Sequence, residues 1–188
     1  MSRIIAGAAG GIPLTGVPGQ MTRPTTDRVK EALFSRLDAY NVLRGAHVLD
    51  LFAGSGSLGV EAASRGAATV DLVEFADRAA AACRANADAI NQVLGRTCVR
   101  VHRVKVETYL NRTPEDAQWD VVLMDPPYPM EDEPLMEVLS LLAPHLGEDA
   151  VVVVERSSRS GEPGWPEGFE RFAEKKYGET RLWYLEPA

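Results

Sequence analysis

Five apolar runs of strand length, separated by helical patterns, constrain this chain more than any other feature. They are His47 to Leu51, Thr69 to Glu74, Cys98 to Val104, Trp119 to Asp125 and Ala150 to Glu155. Between them lie Leu58 to Arg65, the Ala-rich stretch Asp77 to Asn91, a short helix around Thr108, and Pro134 to Ala143. A strand that is apolar at successive positions has to be buried on both faces, and crossover helices are what bury it. The pattern therefore predicts an α/β fold with a doubly wound, mostly parallel sheet. Near the C-terminus, Phe169 to Tyr177 and Arg181 to Leu185 flank Gly178 and predict an antiparallel hairpin. At the other end, Ile4-Ile5 and Ile12 with Leu14 flank Gly10-Gly11, which predicts a short β-hairpin extension. Pro13 to Pro24 reads as a mobile loop. A helix is expected from Thr25, Thr26 and Asp27 onward, with an apolar stripe at Val29, Leu33, Phe34 and Leu37. Residues 1–24 thus read as an extension and 25–188 as the α/β domain.

The chain has 188 residues, 45% of them hydrophobic and 25% charged, enough for one α/β core. No run of 18 apolar residues suggests a membrane span, and the first residues lack a signal-peptide layout. Cys83 and Cys98 have neither metal-site nor disulfide spacing, so a reduced cytoplasmic protein, monomeric and without a metal, is expected. The net charge of −7 disfavours a polyanionic partner, but the distribution does not. Residues 1–40 carry five basic and three acidic side chains, and residues 96–112 carry five basic and one acidic. Phosphate binding needs a local basic face rather than a basic total.

The first strand runs directly into Asp50-Leu51-Phe52-Ala53-Gly54-Ser55-Gly56-Ser57-Leu58-Gly59. Glycines here permit a tight turn and close ligand approach, and the helix that follows offers free N–H groups. Gly54, Gly56 and Gly59 satisfy G-x-G-x-x-G, and Glu74 follows Gly54 by 20 residues. That pattern fits a dinucleotide site with Glu74 on ribose hydroxyls. Asp50 points elsewhere, because its carboxylate would face a pyrophosphate. A cationic cofactor suits it better, and S-adenosyl-L-methionine carries an ammonium and a sulfonium without a phosphate. On that reading Asp50 holds the methionine end and Phe52, Ala53, Gly54, Ser55 and Gly56 underlie the cofactor. Glu74 accepts the ribose hydroxyls, Phe75 packs on adenine, and Lys105 and Val106 border the adenine edge. A tight turn without a ligand is the bland alternative, and a nicotinamide dehydrogenase is the third.

Asp125-Pro126-Pro127-Tyr128 ends the fourth strand. A carboxylate, two prolines and an aromatic ring form a rigid tip that can grip an exocyclic amine and stack on a base. Asp125 and the Pro126 carbonyl can accept the two amine N–H bonds and stabilise the charge that develops on nitrogen. Asp125, Pro126, Pro127 and Tyr128 are therefore the candidate catalytic residues, with Asp125 also bordering the cofactor. A base in a helical stack has to flip out to reach them.

These motifs resemble the class I S-adenosylmethionine-dependent methyltransferases of nucleic-acid amines, which have a Rossmann-like sheet. Arg23-Pro-Thr-Thr-Asp-Arg-Val-Lys-Glu-Ala-Leu-Phe34 and Tyr177-Gly-Glu-Thr-Arg-Leu-Trp-Tyr184 narrow the likeness. Together with the glycine turn and the strand tip, they are similar to the RsmD-type bacterial 16S rRNA guanine-N2 methyltransferases. The resemblance implies that Thr26 borders the cofactor and that Arg23 and Thr25 border cofactor or base. It also implies that the hairpin with Arg3 touches RNA, and that the substrate is 16S rRNA in an assembling small ribosomal subunit. The segment Ala8-Ala9-Gly10-Gly11 is less basic than such an arm implies. A DNA adenine or cytosine amine methyltransferase shares the tip motif and remains the alternative. His47, His102 and His145 read as structural, as do Trp165, Trp183 and Tyr184.

Overall fold

The computed structural model describes residues 2–19, 26–127 and 129–188. Helix α1 spans Asp27–Ala39, followed by β1 (His47–Leu51), α2 (Ser57–Ser64), β2 (Thr69–Val73), α3 (Asp77–Leu94) and β3 (Val99–His102). Then come α4 (Val106–Arg112), β4 (Trp119–Met124), α5 (Asp132–Leu142), β5 (Leu146–Ser157), β6 (Phe169–Tyr177) and β7 (Thr180–Pro187). One seven-stranded sheet has the order β3-β2-β1-β4-β5-β7-β6. The first five strands are parallel, while β7 runs antiparallel to β5 and to β6. This is the mixed, doubly wound sheet that the sequence predicts.

Alternation along each strand divides the core into two layers. Val48, Val70, Val121, Leu123 and Val153 pack beneath α1, α2 and α3. Leu49, Leu51, Val73, Val122 and Val154 pack against α4 and α5. In α1 the stripe Val29, Leu33, Phe34 and Leu37 is buried as its spacing demands. Burying each such side chain contributes about 1.5–3 kcal/mol. The chain enters the sheet at its centre, winds outward through β2 and β3, then returns to β4 beside β1. The strand order therefore reverses between β1 and β4, and in doubly wound sheets ligands bind outside the strand ends at such a reversal.

The short N-terminal hairpin is present: Arg3 bridges Pro13 antiparallel, with Ile4 N donating to the Ile12 carbonyl and Leu14 N to the Ser2 carbonyl, both at 2.9 Å. Its backbone also turns onto α2: Ala8 N donates to the Ser64 carbonyl at 2.8 Å, and Ile5 and Ala6 donate to the Glu61 carboxylate at 2.8 and 3.1 Å. Two expectations need correction. The loop from Pro13 is anchored where it begins, because Thr15 exchanges two hydrogen bonds with Asn86, at 2.8 and 3.0 Å. Strand β5 starts at Leu146, not Ala150, since Leu146 pairs with Trp119 before a register slip. Polar Gly147, Glu148 and Asp149 hid that extension.

No helix is long and apolar enough to cross a membrane among the described residues. Both cysteines are buried free thiols.

Candidate active site

The turn after β1 is held by backbone conformations that few residues adopt. Gly54 and Gly56 lie at φ +61° and +83°, and Phe52, which is not a glycine, at +59°. A bulky residue in that region costs on the order of 1–3 kcal/mol and persists where its surroundings enforce it. The glycines have separate reasons to be glycine. A Cβ on Gly59 would come within 2.3 Å of Leu72 Cδ2, and one on Gly56 within 2.8 Å of Leu72 Cδ1. Those two let α2 press onto β2. A Cβ on Gly54 would meet nothing, so that glycine leaves open room along the backbone. Gly56 caps α2 without a side-chain hydrogen bond, and of the first-turn N–H groups that of Gly59 goes to the Asp50 carboxylate.

Glu74 sits just beyond β2 and clamps the turn. Its Oε1 accepts the Gly54 N–H at 2.8 Å and its Oε2 the Ala76 N–H at 2.9 Å. Each oxygen keeps lone pairs for a hydroxyl donor. Phe75 beside it is 54% exposed, with the Lys105 ammonium 5.4 Å from its ring centre. Val106 is buried in the lower core layer, so only its backbone can border a ligand. Beneath the turn, Cys83 donates to the Gly54 carbonyl at 3.1 Å and Asn86 to the Ser55 carbonyl at 2.8 Å. Burial first, then Asp50 and Glu74, push the Cys83 thiol up, so it stays a protonated donor.

At the same end of the sheet, Asp50 is next to last in β1, Asp125 follows β4, and Glu155 lies two residues before the end of β5. Asp50 pairs in register with Leu123, and Met124 with Val154, so the three tips are neighbours. They follow Val48, Leu123 and Val153 at two-residue spacing and share the upper face. Asp50 is buried, and its Oδ2 accepts the Gly59 N–H at 3.0 Å. Burial raises its carboxyl well above the usual range, the Gly59 bond opposes this, and Glu74 and Glu155 add to it. Asp125 is also raised well above that range, by burial, by the charge of Glu155 and a hydrogen bond with it, and by Asp50. Among the described residues, the charges that act on these two aspartates are those of Glu74, Glu155 and Asp50. Pro126 is buried and Pro127 exposed, with the Pro127 carbonyl accepting the Met130 N–H at 2.9 Å.

Other predicted residues stand apart from this centre. Thr26 caps α1, its hydroxyl accepting the Val29 N–H at 3.2 Å. Arg3 is exposed, and its carbonyl accepts the buried Lys30 ammonium at 2.7 Å. Arg23, Thr25 and Tyr128 lie outside the described residues. The sequence missed Glu155 and Asn86. Glu155 carries the signal that Asp50 and Asp125 carry, a carboxylate near the close of an apolar run; Asn86 carries none.

The basic segments expose fewer charges than they contain. Lys30 is fully buried, Arg96 donates to the Ala67 and Ala68 carbonyls, and Arg103 pairs with Asp77. Arg28, Arg100 and Arg112 remain on the surface. Each histidine meets a protein partner. His47 Nδ1 lies 2.7 Å from Thr69 Oγ1, His102 Nε2 2.8 Å from Asp71 Oδ1, and His145 Nδ1 3.2 Å from the Ala117 carbonyl. A groove of about 640 Å³ between α4 and the sheet, lined by His47, Asp71, His102 and Tyr109 among others, holds none of the predicted site residues.

Comparison with known proteins places this arrangement. The family model described as Conserved hypothetical protein 95 matches residues 2–186. Ribosomal RNA small subunit methyltransferase D of Escherichia coli K12 is 36% identical over 189 residues, covering 95% of this chain and 86% of its own. Among solved structures, the Escherichia coli protein yhhF superposes with a TM-score of 0.82 at 32% identity, covering 99% of this chain and 97% of its own. A hypothetical protein of Thermus thermophilus gives a TM-score of 0.80 at 31% identity, covering 99% of both chains. The chain therefore belongs to the Conserved hypothetical protein 95 family, the family of ribosomal RNA small subunit methyltransferase D.

Proposed function

We propose that the chain is an S-adenosylmethionine-dependent methyltransferase that methylates the exocyclic N2 of a guanine in 16S rRNA. The observation that carries this reading is the buried Asp50 and the half-buried Asp125 on adjacent strand tips beside the Gly54–Gly56 turn, where the charges that act on them among the described residues are acidic. Burying carboxylates together is costly unless a cation joins them. A sulfonium and an ammonium fit that demand, whereas a pyrophosphate would be repelled. The open backbone at Gly54, the spare lone pairs of Glu74 and the uncovered Phe75 ring complete a fit to the rest of the cofactor.

When bound, S-adenosylmethionine supplies an activated methyl group: the amine lone pair forms the new N–C bond while the S–C pair withdraws onto sulfur. The protein has to position the amine and exclude water. Asp50 faces the methionine end. Glu74 accepts the ribose hydroxyls, Phe75 covers adenine, and Lys105 with the Val106 backbone borders its edge. The Asp125 carboxylate and the Pro126 carbonyl accept the amine N–H bonds, turning nitrogen lone-pair density toward the methyl and stabilising the charge that builds there. Pro127 stiffens the tip. Tyr128 stacks on the flipped base, worth about 1–3 kcal/mol. Arg3, Arg23 and Thr25 contact RNA, with Thr26 fixing the start of α1 between cofactor and base. The substrate is rRNA within an assembling small subunit, and the enzyme works as a cytoplasmic monomer.

The decisive experiment incubates the protein and S-adenosylmethionine with small subunits from a strain lacking the enzyme and, in parallel, with naked 16S rRNA and duplex DNA. Mass spectrometry of the nucleosides should find N2-methylguanosine at one site in rRNA. Methyladenine or methylcytosine in DNA, or no transfer to any RNA form, would refute the assignment.

A further inference from the structure

Asn86 enters none of the steps above, yet its side chain joins the N-terminal segment to the glycine turn. It stands on α3 and is buried. Its Oδ1 accepts the Thr15 N–H at 2.8 Å, and its Nδ2 donates to the Thr15 carbonyl at 3.0 Å and to the Ser55 carbonyl at 2.8 Å. Both amide donors are thereby used, and the partners fix which way the amide lies: reversed, its oxygen would face two carbonyls. Towards Thr15 the amide does what a neighbouring strand would do, pairing with the N–H and the C=O of one residue. Three residues earlier on the same face of α3, Cys83 donates to the Gly54 carbonyl at 3.1 Å. A Cβ on Gly56 would lie 3.4 Å from Cys83 Sγ, so the turn rests directly on this face of α3.

Two consecutive carbonyls of the turn are thus drawn towards α3. In a trans peptide the N–H points opposite to the C=O, and no cis bond occurs among the described residues. The Gly54–Ser55 peptide therefore turns its N–H away from α3. The Gly56 N–H goes to the Ala53 carbonyl at 2.8 Å, which closes the turn. The N-terminal loop then follows the same helix. Thr15 lies at Asn86, and a Cβ on Gly19 would be 3.3 Å from an Arg78 guanidinium nitrogen. From Asn86 back to Arg78 is about 12 Å of helix, and Arg78 stands in the first turn of α3, four residues after Glu74. The loop thus runs from beside the glycine turn towards Glu74 and Phe75, which the reading above gives to ribose and adenine.

We propose that Asn86 is a positioning residue for cofactor binding: by holding Thr15 and Ser55 at once, it couples the order of residues 13–19 to occupancy of the glycine turn. The inference rests on the S-adenosylmethionine reading above. A ligand on the turn holds the Ser55 peptide in the orientation that presents its carbonyl to Asn86. The amide is then kept aligned for Thr15, and the loop loses freedom. Linkage makes the effect reciprocal, so a loop already held by Asn86 tightens the ligand by the same factor. The donors of Asn86 are spent on the protein, so it acts through Ser55 and Thr15 and not on the cofactor itself.

The test follows the Thr15 amide by NMR hydrogen exchange and the cofactor by calorimetry, on the full chain. In wild-type protein S-adenosylmethionine should slow Thr15 exchange about 10-fold. Asn86→Ala should weaken S-adenosylmethionine binding by about the same factor, raise its KM more than it lowers kcat, and abolish the slowing of Thr15 at saturating cofactor. Asn86→Asp keeps the volume and the acceptor for the Thr15 N–H but sets a carboxylate against two carbonyls. It should therefore weaken binding at least as much as Asn86→Ala, whereas a role in packing alone would leave it like wild type. Unchanged Thr15 exchange in the loaded wild type, cofactor affinity within about twofold of wild type in both variants, or slowing of Thr15 that survives in Asn86→Ala would overturn the proposal, whatever the loss of melting temperature. If neither variant folds, Thr15 exchange in the wild type with and without cofactor decides alone. Failure of the wild type to bind S-adenosylmethionine at all would instead remove the cofactor reading, and this inference with it.

Discussion

Glu61 on α2 and the aspartates at the strand tips are treated in opposite ways. Glu61 is fully buried and closed off by its own protein. It accepts the Ile5 and Ala6 N–H groups and Arg65 Nε at 2.8 Å, and lies 3.8 Å from Lys30 Nζ. Arg65 in turn reaches Glu31 and Asp38, both at 3.0 Å. At the strand tips Asp50 is also buried and Asp125 half-buried, but among the described residues the charges that act on them are carboxylates. A buried acid surrounded by donors and cations holds a fold together. A buried acid surrounded by other acids is a cost that a cationic ligand offsets.

The sharpest way to break this contrast is Glu61→Ala. It strands the buried Lys30 ammonium and removes the acceptor for two N-terminal amides. Breaking such a pair should cost about 3–5 kcal/mol, read as a drop in unfolding free energy by denaturant titration. A loss below about 1 kcal/mol would mean that the Glu61 network is not structural.

Asp125→Ala should do the reverse. Transfer should fall about 10²- to 10³-fold in kcat, while calorimetry finds cofactor affinity largely kept and thermal melting finds the fold intact. Activity within a few-fold of wild type would remove Asp125 from the reaction.

The smallest effect is in pH dependence. A carboxyl whose folded pKa is raised binds its proton more tightly in the native state. Its contribution is therefore fully present below the unfolded pKa, about 3.9, and is lost as pH rises through the raised folded value. The ligand-free protein should thus lose stability from about pH 4 upward through the folded pKa values of Asp50 and Asp125, and S-adenosylmethionine should restore it. Asp125→Asn should flatten this slope in melting curves, by roughly 2–4 °C for each 1 kcal/mol involved. An identical slope in wild type and Asp125→Asn would show that Asp125 does not titrate there.

What could be read from the chain follows from the range of the forces involved. The strands and their alternate faces were legible because burial on two sides demands continuous apolar runs, and His47–Leu51 falls where its run predicts. The glycine turn was legible because its spacing is a local pattern and Gly54 and Gly56 take positive φ, although the close approach of Gly56 and Gly59 to Leu72 is a tertiary contact. Lys30 was not. It reads as a solvated charge on α1, and it is buried because a carbonyl of residue 3 and the hydroxyl of residue 57 converge on it. Glu155 escaped for a similar reason. Its meaning depends on Asp125, its neighbour across a strand pairing that local sequence does not specify. Expected arm–RNA contacts came from likeness alone, and the arm's anchorage on α2 has no local signature.

That anchorage bears on how the enzyme could be retargeted. An accessory arm that reads RNA would be the natural part to exchange in building chimaeras with new specificity. Here the segment supplies Ile4, Ala9 and Leu14 to the core, gives Glu61 two of its donors and gives Lys30 an acceptor. Grafting it alone would carry away half of a buried electrostatic lock. The exchangeable unit is the segment together with α1 and α2, so any change of this segment is tied to co-inheritance of the helices packed beside the glycine turn.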